Sequence, residues 1–202
     1  MTILWSVIPA MSLFALVATI TPGPNNFLLA SSGAQFGVMK SCRHIIGIRI
    51  GIIGLLLLCA CGVGVALQSN PNWYQTLKLF GLSYMLWLMI KLLCTNPFSG
   101  KATKNKPLNI TQATFFQLGN IKAWMSSIAL VTSYSLPSHY WFSVVLILCI
   151  FTVVGLFSNL FWVCVGKKLS VYLNTPLKQR SFNLSLAAMV LVSILPILDT
   201  VL

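Results

Sequence analysis

The sequence predicts an all-α polytopic membrane protein, and three features of its composition and pattern indicate that class. The chain of 202 residues is 57% hydrophobic and only 7% charged, whereas a soluble domain carries roughly 25% charged residues. Thirteen Lys and Arg accompany a single acidic residue, Asp199. These basic residues stand between long apolar runs and not on one wetted face, which is typical of membrane topology. We therefore expect contact with the lipid bilayer and none with nucleic acid.

Six apolar runs are candidates for membrane spans, since a helix needs about 20 residues to cross the hydrocarbon layer. The fourth run is the least uniform, because polar residues interrupt it. The N-terminus lacks the basic segment of a signal peptide, so we expect the first run to be retained. The predicted spans are residues 3–20, 45–67, 73–93, 115–136, 140–165 and 182–198.

Ten of the thirteen basic residues fall in or beside three of the five connections between these spans, and the other two connections carry none. Because basic connections stay in the cytoplasm, these three are predicted to be cytoplasmic and both termini to lie outside. The basic residues concerned are Lys40 and Arg43 in the first connection, Lys91, Lys101, Lys104 and Lys106 in the third, and Lys167, Lys168, Lys178 and Arg180 in the fifth.

The chain is predicted to form a single transmembrane domain of two halves. The longest polar stretch, residues 94–112, is interpreted as a flexible cytoplasmic linker between a first half, residues 1–93, and a second, residues 113–202. Halves with an odd number of spans insert in opposite senses, as in inverted-repeat transporters. The predicted fold is therefore six transmembrane helices in two inverted three-helix repeats. The sequence leaves open whether the domain assembles as a homo-oligomer.

A proline-rich motif directly after the first span predicts a helix break. Its two prolines remove backbone donors, and its glycine allows backbone angles that other residues resist. Inside a bilayer such a break persists only where protein or a water-filled cavity satisfies the freed backbone groups. The apolar residues 26–38 that follow are too short to cross, so we expect a half-helix or a re-entrant element. The motif residues, taken as substrate-path candidates, are Thr21, Pro22, Gly23, Pro24 and Asn25.

The second half contains a counterpart, the GNIK sequence at residues 119–122. A charged side chain in mid-membrane costs about 2.5–3.5 kcal/mol on insertion scales, so Lys122 needs a reason to be there. Either it extends to the cytoplasmic border, or it faces a cavity and attracts a substrate carboxylate. Asn120 and Lys122 are therefore candidates for the second helix break and for the substrate path.

Two further polar positions fall within predicted spans. Arg49 poses the same choice as Lys122, and extension to the border is favoured because His44 lies only about one and a half turns away. Asn159 and its neighbour Ser158 either bond to a neighbouring helix or line the path. Gly47, Gly51 and Gly54 around Arg49 are interpreted as helix-packing positions, because small residues let membrane helices approach closely.

The sequence argues against an enzyme, a metal site and a bound cofactor. One acid provides no carboxylate pair for hydrolysis or for a hard-cation cage. No Walker motif or HExxH pattern occurs, and neither histidine is predicted to lie deep in the membrane. Five of the six cysteines lie in or beside apolar segments and are interpreted as small hydrophobic residues.

Several of these segments together resemble one transporter family. TPGPNNFLLASSGAQFGVMKS with HIIGIRIG, GLSYMLWLMIKLL, FFQLGNIKAW, GLFSNLFWVCVGKKL and NLSLAAMVLV are similar to the LysE/RhtB amino-acid exporters over essentially the whole chain. That family's second signature is Asn-Pro-Lys-Ala, and this chain has Ile121 in place of the proline. The departure resembles the cysteine/O-acetylserine efflux branch.

The resemblance implies a secondary transporter in the bacterial inner membrane that exports small neutral amino acids or derivatives by alternating access. A zwitterion would place its carboxylate at Lys122 or at the helix N-terminus near Asn25, and its ammonium at carbonyls freed by the break. The alternatives are a homoserine, threonine or leucine exporter, a cation exporter, or a non-transporting membrane subunit. The family is thought to use the proton gradient, yet the only carboxylate, Asp199, is predicted near the outer surface.

Overall fold

The computed structural model describes residues 2–94 and 107–198, and in these ranges the chain is helical with no β-strand. The all-α prediction is confirmed. Single turns of 3-10 helix cover Gln117–Gly119 and Pro137–His139. The α-helices are α1 Thr2–Ile20, α2 Pro24–Ala60, α3 Val63–Ser69, α4 Pro71–Cys94, α5 Ile110–Phe116, α6 Ile121–Tyr134, α7 Tyr140–Ser170 and α8 Pro176–Leu198.

Helices α2 and α7 form the centre of the bundle, and glycines allow their backbones to touch. A Cβ atom on Gly33 would overlap the carbonyl of Val163, and one on Gly166 would overlap the carbonyl of Ala30. Only glycine permits such backbone contact, and small residues serve this purpose in membrane helix packing. The two helices therefore cross at a distance that is fixed by these two residues.

The second contact of α2 is with α5, and it uses the predicted packing glycines. A Cβ on Gly47 would lie 2.6 Å from the Cβ of Ala113, and one on Gly51 would lie 2.7 Å from the carbonyl oxygen of Thr114. The packing interpretation is correct for these two residues. It is wrong for Gly54, because among the described residues no heavy atom from outside its own helical turn lies within 4 Å of the place where its Cβ would be.

The outer surface of the bundle is apolar, whereas several polar side chains are buried within it. Two of the described helical stretches, Pro24–Ala60 and Pro137–Ser170, are long and apolar enough to cross a membrane, and the apolar stretch Ser6–Ile20 is shorter. Exposed apolar surface of this extent promotes aggregation in water and is stable in contact with lipid. On α7 the exposed residues include Phe142, Val145, Val153, Phe157 and Phe161.

The structure corrects the predicted course of the chain between the first two spans. The range given as α2 holds two helical segments, residues 24–36 and 38–60, which meet at Gly37, whose backbone is non-helical (φ 76°, ψ 176°), so the helix expected from residue 45 begins at residue 38. The bend is sharp, because the Ser32 and Ser41 hydroxyls lie 2.8 Å apart, whereas nine residues of straight helix span about 13.5 Å. The expected connection is therefore reduced to this bend, and Lys40 and Arg43 lie exposed on the helix just beyond it.

Two other predicted boundaries change. The second span was expected to reach residue 67, but α2 ends at Ala60 and the short helix α3 follows. Helix α5 begins at Ile110, so residues 110–112 are helical and do not belong to the linker. Lys101, Lys104, Lys106 and Asp199 lie outside the described residues.

Candidate functional site

The first break in helical structure lies between α1 and α2. Helix α1 ends at Ile20, the chain is non-helical from Thr21 to Gly23, and α2 begins at Pro24. Pro22 and Pro24 have no backbone N–H, and proline is favoured in the first turn of a helix. Gly23 is extended (φ 179°, ψ 174°), so the expectation that it supplies an unusual backbone angle is wrong. A Cβ on Gly23 would lie 3.3 Å from Lys122 Cδ and Nζ, so the glycine leaves room for that side chain.

Side chains satisfy the carbonyl groups that this break frees. Asn26 Nδ2 donates to the carbonyl oxygens of Thr19 and Thr21, each at 2.8 Å. Trp162 Nε1, on α7, donates to the carbonyl of Ile20 at 3.1 Å. The break thus meets the requirement that buried backbone groups keep hydrogen-bond partners.

The second break precedes α6. After the 3-10 turn Gln117–Gly119, Asn120 is extended (φ −90°, ψ 93°) and acts as the N-cap of α6, its side-chain oxygen accepting from Ala123 N at 3.4 Å. Asn120 Nδ2 donates to Gln117 Oε1 at 3.3 Å. Asparagine is favoured at this position because its side chain replaces a missing intrahelical partner.

Lys122 joins the two breaks. Its Nζ donates to Thr21 Oγ1 at 2.7 Å, to the carbonyl oxygen of Thr21 at 2.9 Å and to that of Pro22 at 3.4 Å. A lysine ammonium has three N–H donors, and these contacts account for all of them. Asn25 and Gln117 make a second connection between the same two regions, through hydrogen bonds in both directions. The residues predicted from the two halves are therefore brought together.

Arg49 is buried between α2 and α7, so the interpretation that it extends to the membrane border is wrong. The side chain is only 8% exposed, and its Nη1 donates to the carbonyl of Phe151 at 3.4 Å. With the Asn159 amide turned to the orientation that satisfies both of its polar atoms, its oxygen accepts from Arg49 Nε and Nη2, both at 3.2 Å, and its nitrogen donates to the carbonyl of Gly155 at 3.2 Å. Gly155 provides the space, because a Cβ there would overlap the guanidinium.

One cavity lies among these groups, between α1, α2, α6 and α7. It is small and open on one side, with about 40 Å³ of free volume in this arrangement of the helices. Two cations, Arg49 and Lys122, line it, and the described part of the chain contains no acidic residue to neutralise them. Of the predicted site residues, it is lined by Gly23, Pro24, Asn25, Arg49, Asn120, Lys122 and Asn159. Thr21 and Pro22 adjoin it through Lys122.

Sequence reasoning missed several polar contributors. Gln117 is fully buried at the junction of the two breaks, and its place three residues before Asn120 was the only available signal. Thr19 Oγ1 lies 2.8 Å from Ser158 Oγ, which fixes α1 against α7 and gives Ser158 the bonding role of the two that were open. Asn159 lines the cavity. His44 is 1% exposed inside the bundle, and neither ring nitrogen has a hydrogen-bond partner among the described residues.

A polar, cationic cavity inside a helical bundle with an apolar surface is the construction of a membrane transport protein. The model of the LysE type translocator family matches residues 16–194. The chain therefore belongs to the LysE type translocator family, and it is a membrane protein and a transporter, not an enzyme.

Curated relatives are similar over most of their length. Proteins named cysteine/O-acetylserine efflux protein from Escherichia coli (strain K12), E. coli O1:K1 and Shigella flexneri serotype 5b are each 29% identical over 155 residues. The match covers 76% of this chain and 78% of each relative. No solved structure gives a significant match.

Proposed function

We propose that this protein exports small neutral amino acids or their derivatives, cysteine and O-acetylserine first among them, across the bacterial inner membrane by alternating access. The main observation behind the proposal is that two cations and three amides line the same cavity. The cations are Arg49 and Lys122, and the amides are those of Asn25, Asn120 and Asn159. These cationic and amide groups can bind the carboxylate of a small polar solute. The names of the relatives support the choice of substrate.

The proposed architecture is six spans in two inverted halves. The first span is discontinuous, formed by α1 and residues 24–36, and α5 with α6 is its counterpart, with the break at Asn120. Residues 38–60 then correspond to α7, and α4 corresponds to α8. The packing supports this relation. Helix α5 of the second half packs on α2 of the first half, and helix α1 of the first half packs on α7 of the second half. Discontinuous helices that meet at such an interface are a recurring form of transporter binding site.

The orientation is proposed from the basic residues. The bend at Gly37 with Lys40 and Arg43, the linker, and the end of α7 with the start of α8 would face the cytoplasm. Both termini would then lie outside. A discontinuous first span of this length places the break at Thr21–Gly23 within the membrane, where a substrate passing between the two sides would meet it.

Arg49 is proposed to receive the substrate carboxylate. A guanidinium has five N–H donors in a fork that matches a carboxylate, and its contacts with Phe151 and Asn159 use three of them. Two donors remain for a ligand. The N-terminus of α2 at Pro24 and Asn25 lines the same cavity and adds a favourable field for a negative group.

The test is efflux of preloaded, labelled cysteine and O-acetylserine from cells that express the protein, compared with an empty vector and repeated with an uncoupler. We expect faster efflux with the protein, abolished by the uncoupler, and reduced at least tenfold by Arg49→Met. The control is Arg43→Met, which removes an exposed arginine of the same helix and should leave efflux unchanged. Equal efflux with and without the protein for both solutes would overturn the substrate assignment, and homoserine, threonine and leucine would be measured next.

A further inference from the structure

The ammonium group of Lys122 is held by oxygen atoms that an amino acid's own ammonium would need. We propose that these atoms, Thr21 Oγ1 and the carbonyl oxygens of Thr21 and Pro22, form the binding site for the substrate ammonium. In this structure Lys122 occupies that site as an internal substitute, which the ligand displaces. The inference rests on the proposed function, because it assumes that the ligand is a zwitterion or another primary ammonium compound.

The acceptor set fits an ammonium group. Three oxygens lie 2.7, 2.9 and 3.4 Å from Lys122 Nζ, and a primary ammonium has three N–H donors to place on them. The three oxygens are neutral, and the described part of the chain has no carboxylate that could take the ammonium instead. Hydrogen bonds to a charged donor are about twice as strong as neutral ones, so an ammonium of either origin is stabilised here.

Other carbonyls of the same break are less suitable for a ligand. The carbonyl of Thr19 accepts from Asn26, and that of Ile20 accepts from Trp162; the carbonyl of Thr21 also accepts from Asn26, but it accepts from Lys122 as well. Both donors are side chains of the rigid helices that surround the break, whereas Lys122 is a long, flexible side chain and only half-buried. Of the acceptor groups at this break, those bonded to Lys122 are therefore the ones that a ligand's ammonium can take over.

The location also suits a zwitterion that is held at both ends. Gly23, against which the Lys122 side chain lies, and Arg49 both line the cavity. A ligand with its carboxylate on Arg49 and its ammonium on the Thr21–Pro22 oxygens would extend from the cavity into the place that Lys122 now holds. Recognition of both charges then requires that Lys122 leave.

Displacement of Lys122 has a structural consequence. The Lys122 contact ties α6, in the second half, to the break between α1 and α2, in the first half. A substrate that takes over these oxygens releases that tie, because its ammonium is not attached to α6. Binding thereby frees one half to move relative to the other, so the ligand has a differential affinity for the two arrangements, as any binding-driven change requires.

The experiment measures ligand binding to the purified full-length protein in detergent with three probes. Ethylamine carries only the ammonium, propionate carries only the carboxylate, and O-acetylserine carries both. In Lys122→Met the competing ammonium is gone, so ethylamine and O-acetylserine should bind more tightly and propionate should not. If Lys122 leaves the site free in about a tenth of the molecules, the expected decrease in Kd is about tenfold.

Two further variants and one control complete the design. Lys122→Gln, which keeps a polar side chain of similar length, should change the affinities in the same direction and serves if the methionine variant does not fold. Thr21→Val removes one acceptor oxygen and should weaken ethylamine binding in the Lys122→Met background. Lys167→Met, which removes an exposed lysine at the end of α7, should change no affinity.

The outcomes separate this inference from the proposed function. If Lys122→Met weakens the binding of propionate and O-acetylserine and leaves ethylamine unchanged, Lys122 is a carboxylate ligand and the inference is wrong. Unchanged affinity for all three probes also overturns it, whatever the efflux assay shows. If ethylamine binds more tightly to Lys122→Met while cysteine and O-acetylserine do not bind the wild type, the ammonium site stands and the substrate assignment fails.

Discussion

The side-chain amides of Asn25 and Gln117 hydrogen-bond to each other in both directions. Asn25 Nδ2 donates to Gln117 Oε1 at 2.8 Å, and Gln117 Nε2 donates to Asn25 Oδ1 at 3.1 Å. Asn25 is in the first turn of α2, and Gln117 is in the 3-10 turn before α6. The pair therefore connects the regions of the two breaks with neutral groups, beside the charged connection made by Lys122.

Replacement of either amide should destabilise the protein. Gln117 is fully buried, and a buried polar group that loses its partner costs about 1–3 kcal/mol. We expect Asn25→Ala and Gln117→Ala each to lower the free energy of unfolding, measured by denaturant titration in detergent micelles. The double variant should lose less than the sum of the two, with a coupling of about 1 kcal/mol.

The matched control for this cycle is Asn174→Ala, because the Asn174 amide is exposed and its oxygen accepts from the exposed Lys178. It should shift the free energy of unfolding by less than about 0.5 kcal/mol, as is usual for surface positions. Additive losses in Asn25→Ala and Gln117→Ala would show that the two amides do not act on each other.

Substitution of Gly155 should impair transport through Arg49. A Cβ at Gly155 would overlap the guanidinium of Arg49, so Gly155→Ala should push that side chain away from Asn159. We expect initial efflux rates to fall at least tenfold, similar to the loss for Arg49→Met, with normal amounts of protein in the membrane. In the Arg49→Met background, Gly155→Ala should add little, because the side chain that it displaces is already absent.

Gly54→Ala is the control for the same chemical change in the neighbouring helix. The added methyl group meets no heavy atom of another helical turn within 4 Å in the part of the chain that the structure describes, so efflux and yield should stay near wild type. Two additive losses in the Gly155→Ala, Arg49→Met double variant would argue that Gly155 serves helix packing and not the position of Arg49.

The helical content and the composition of the site followed from the sequence because both depend on local features. Long apolar runs and proline-rich breaks can be recognised without knowledge of the fold. Asn25, Asn120 and Lys122 could be identified because they lie at or beside the predicted breaks. The side-chain partners were not legible. That Lys122 bonds to Thr21, about a hundred residues earlier, depends on how the two halves dock.

Arg49 shows why depth could not be predicted. It follows His44 by about one and a half helical turns, and this short separation suggested that its side chain extends to the membrane border. The rotation of α2 about its own axis turns Arg49 toward α7, and the space for it comes from Gly155, a residue that local sequence does not relate to it. The position of the bend could not be predicted either: the sequence indicated a connection between residues 38 and 45, and the structure makes the turn at one residue, Gly37.

Membrane orientation is testable with reporter fusions. Alkaline phosphatase is active only outside the cytoplasm, and green fluorescent protein is fluorescent only when it folds inside it. We expect phosphatase activity for fusions after Asn70 and after Leu202, and fluorescence for a fusion after Lys104. The physical reason is that basic connections resist translocation. Fluorescence at Asn70 together with phosphatase activity at Lys104 would mean that the protein is inserted the other way round.

We expect substitutions of Gly37 and Gly62 to affect stability differently. Among residues 2–94 and 107–198, no heavy atom beyond the immediate chain neighbours lies within 4 Å of either added Cβ, so backbone conformation decides the outcome. Gly62 (φ 94°, ψ −4°) is in the left-handed helical region, which asparagine tolerates better than alanine. Gly37 (φ 76°, ψ 176°) is in a region used essentially only by glycine.

We therefore expect Gly62→Asn to be closer to wild type than Gly62→Ala, whereas Gly37→Asn and Gly37→Ala should both lose about 1–3 kcal/mol of unfolding free energy. The measurement is denaturant titration of the four variants in the same detergent. Because Gly37 makes the bend that brings residues 24–36 back along the rest of α2, both Gly37 variants should also lose efflux. Rescue of stability by Gly37→Asn would show that the bend does not require this backbone conformation.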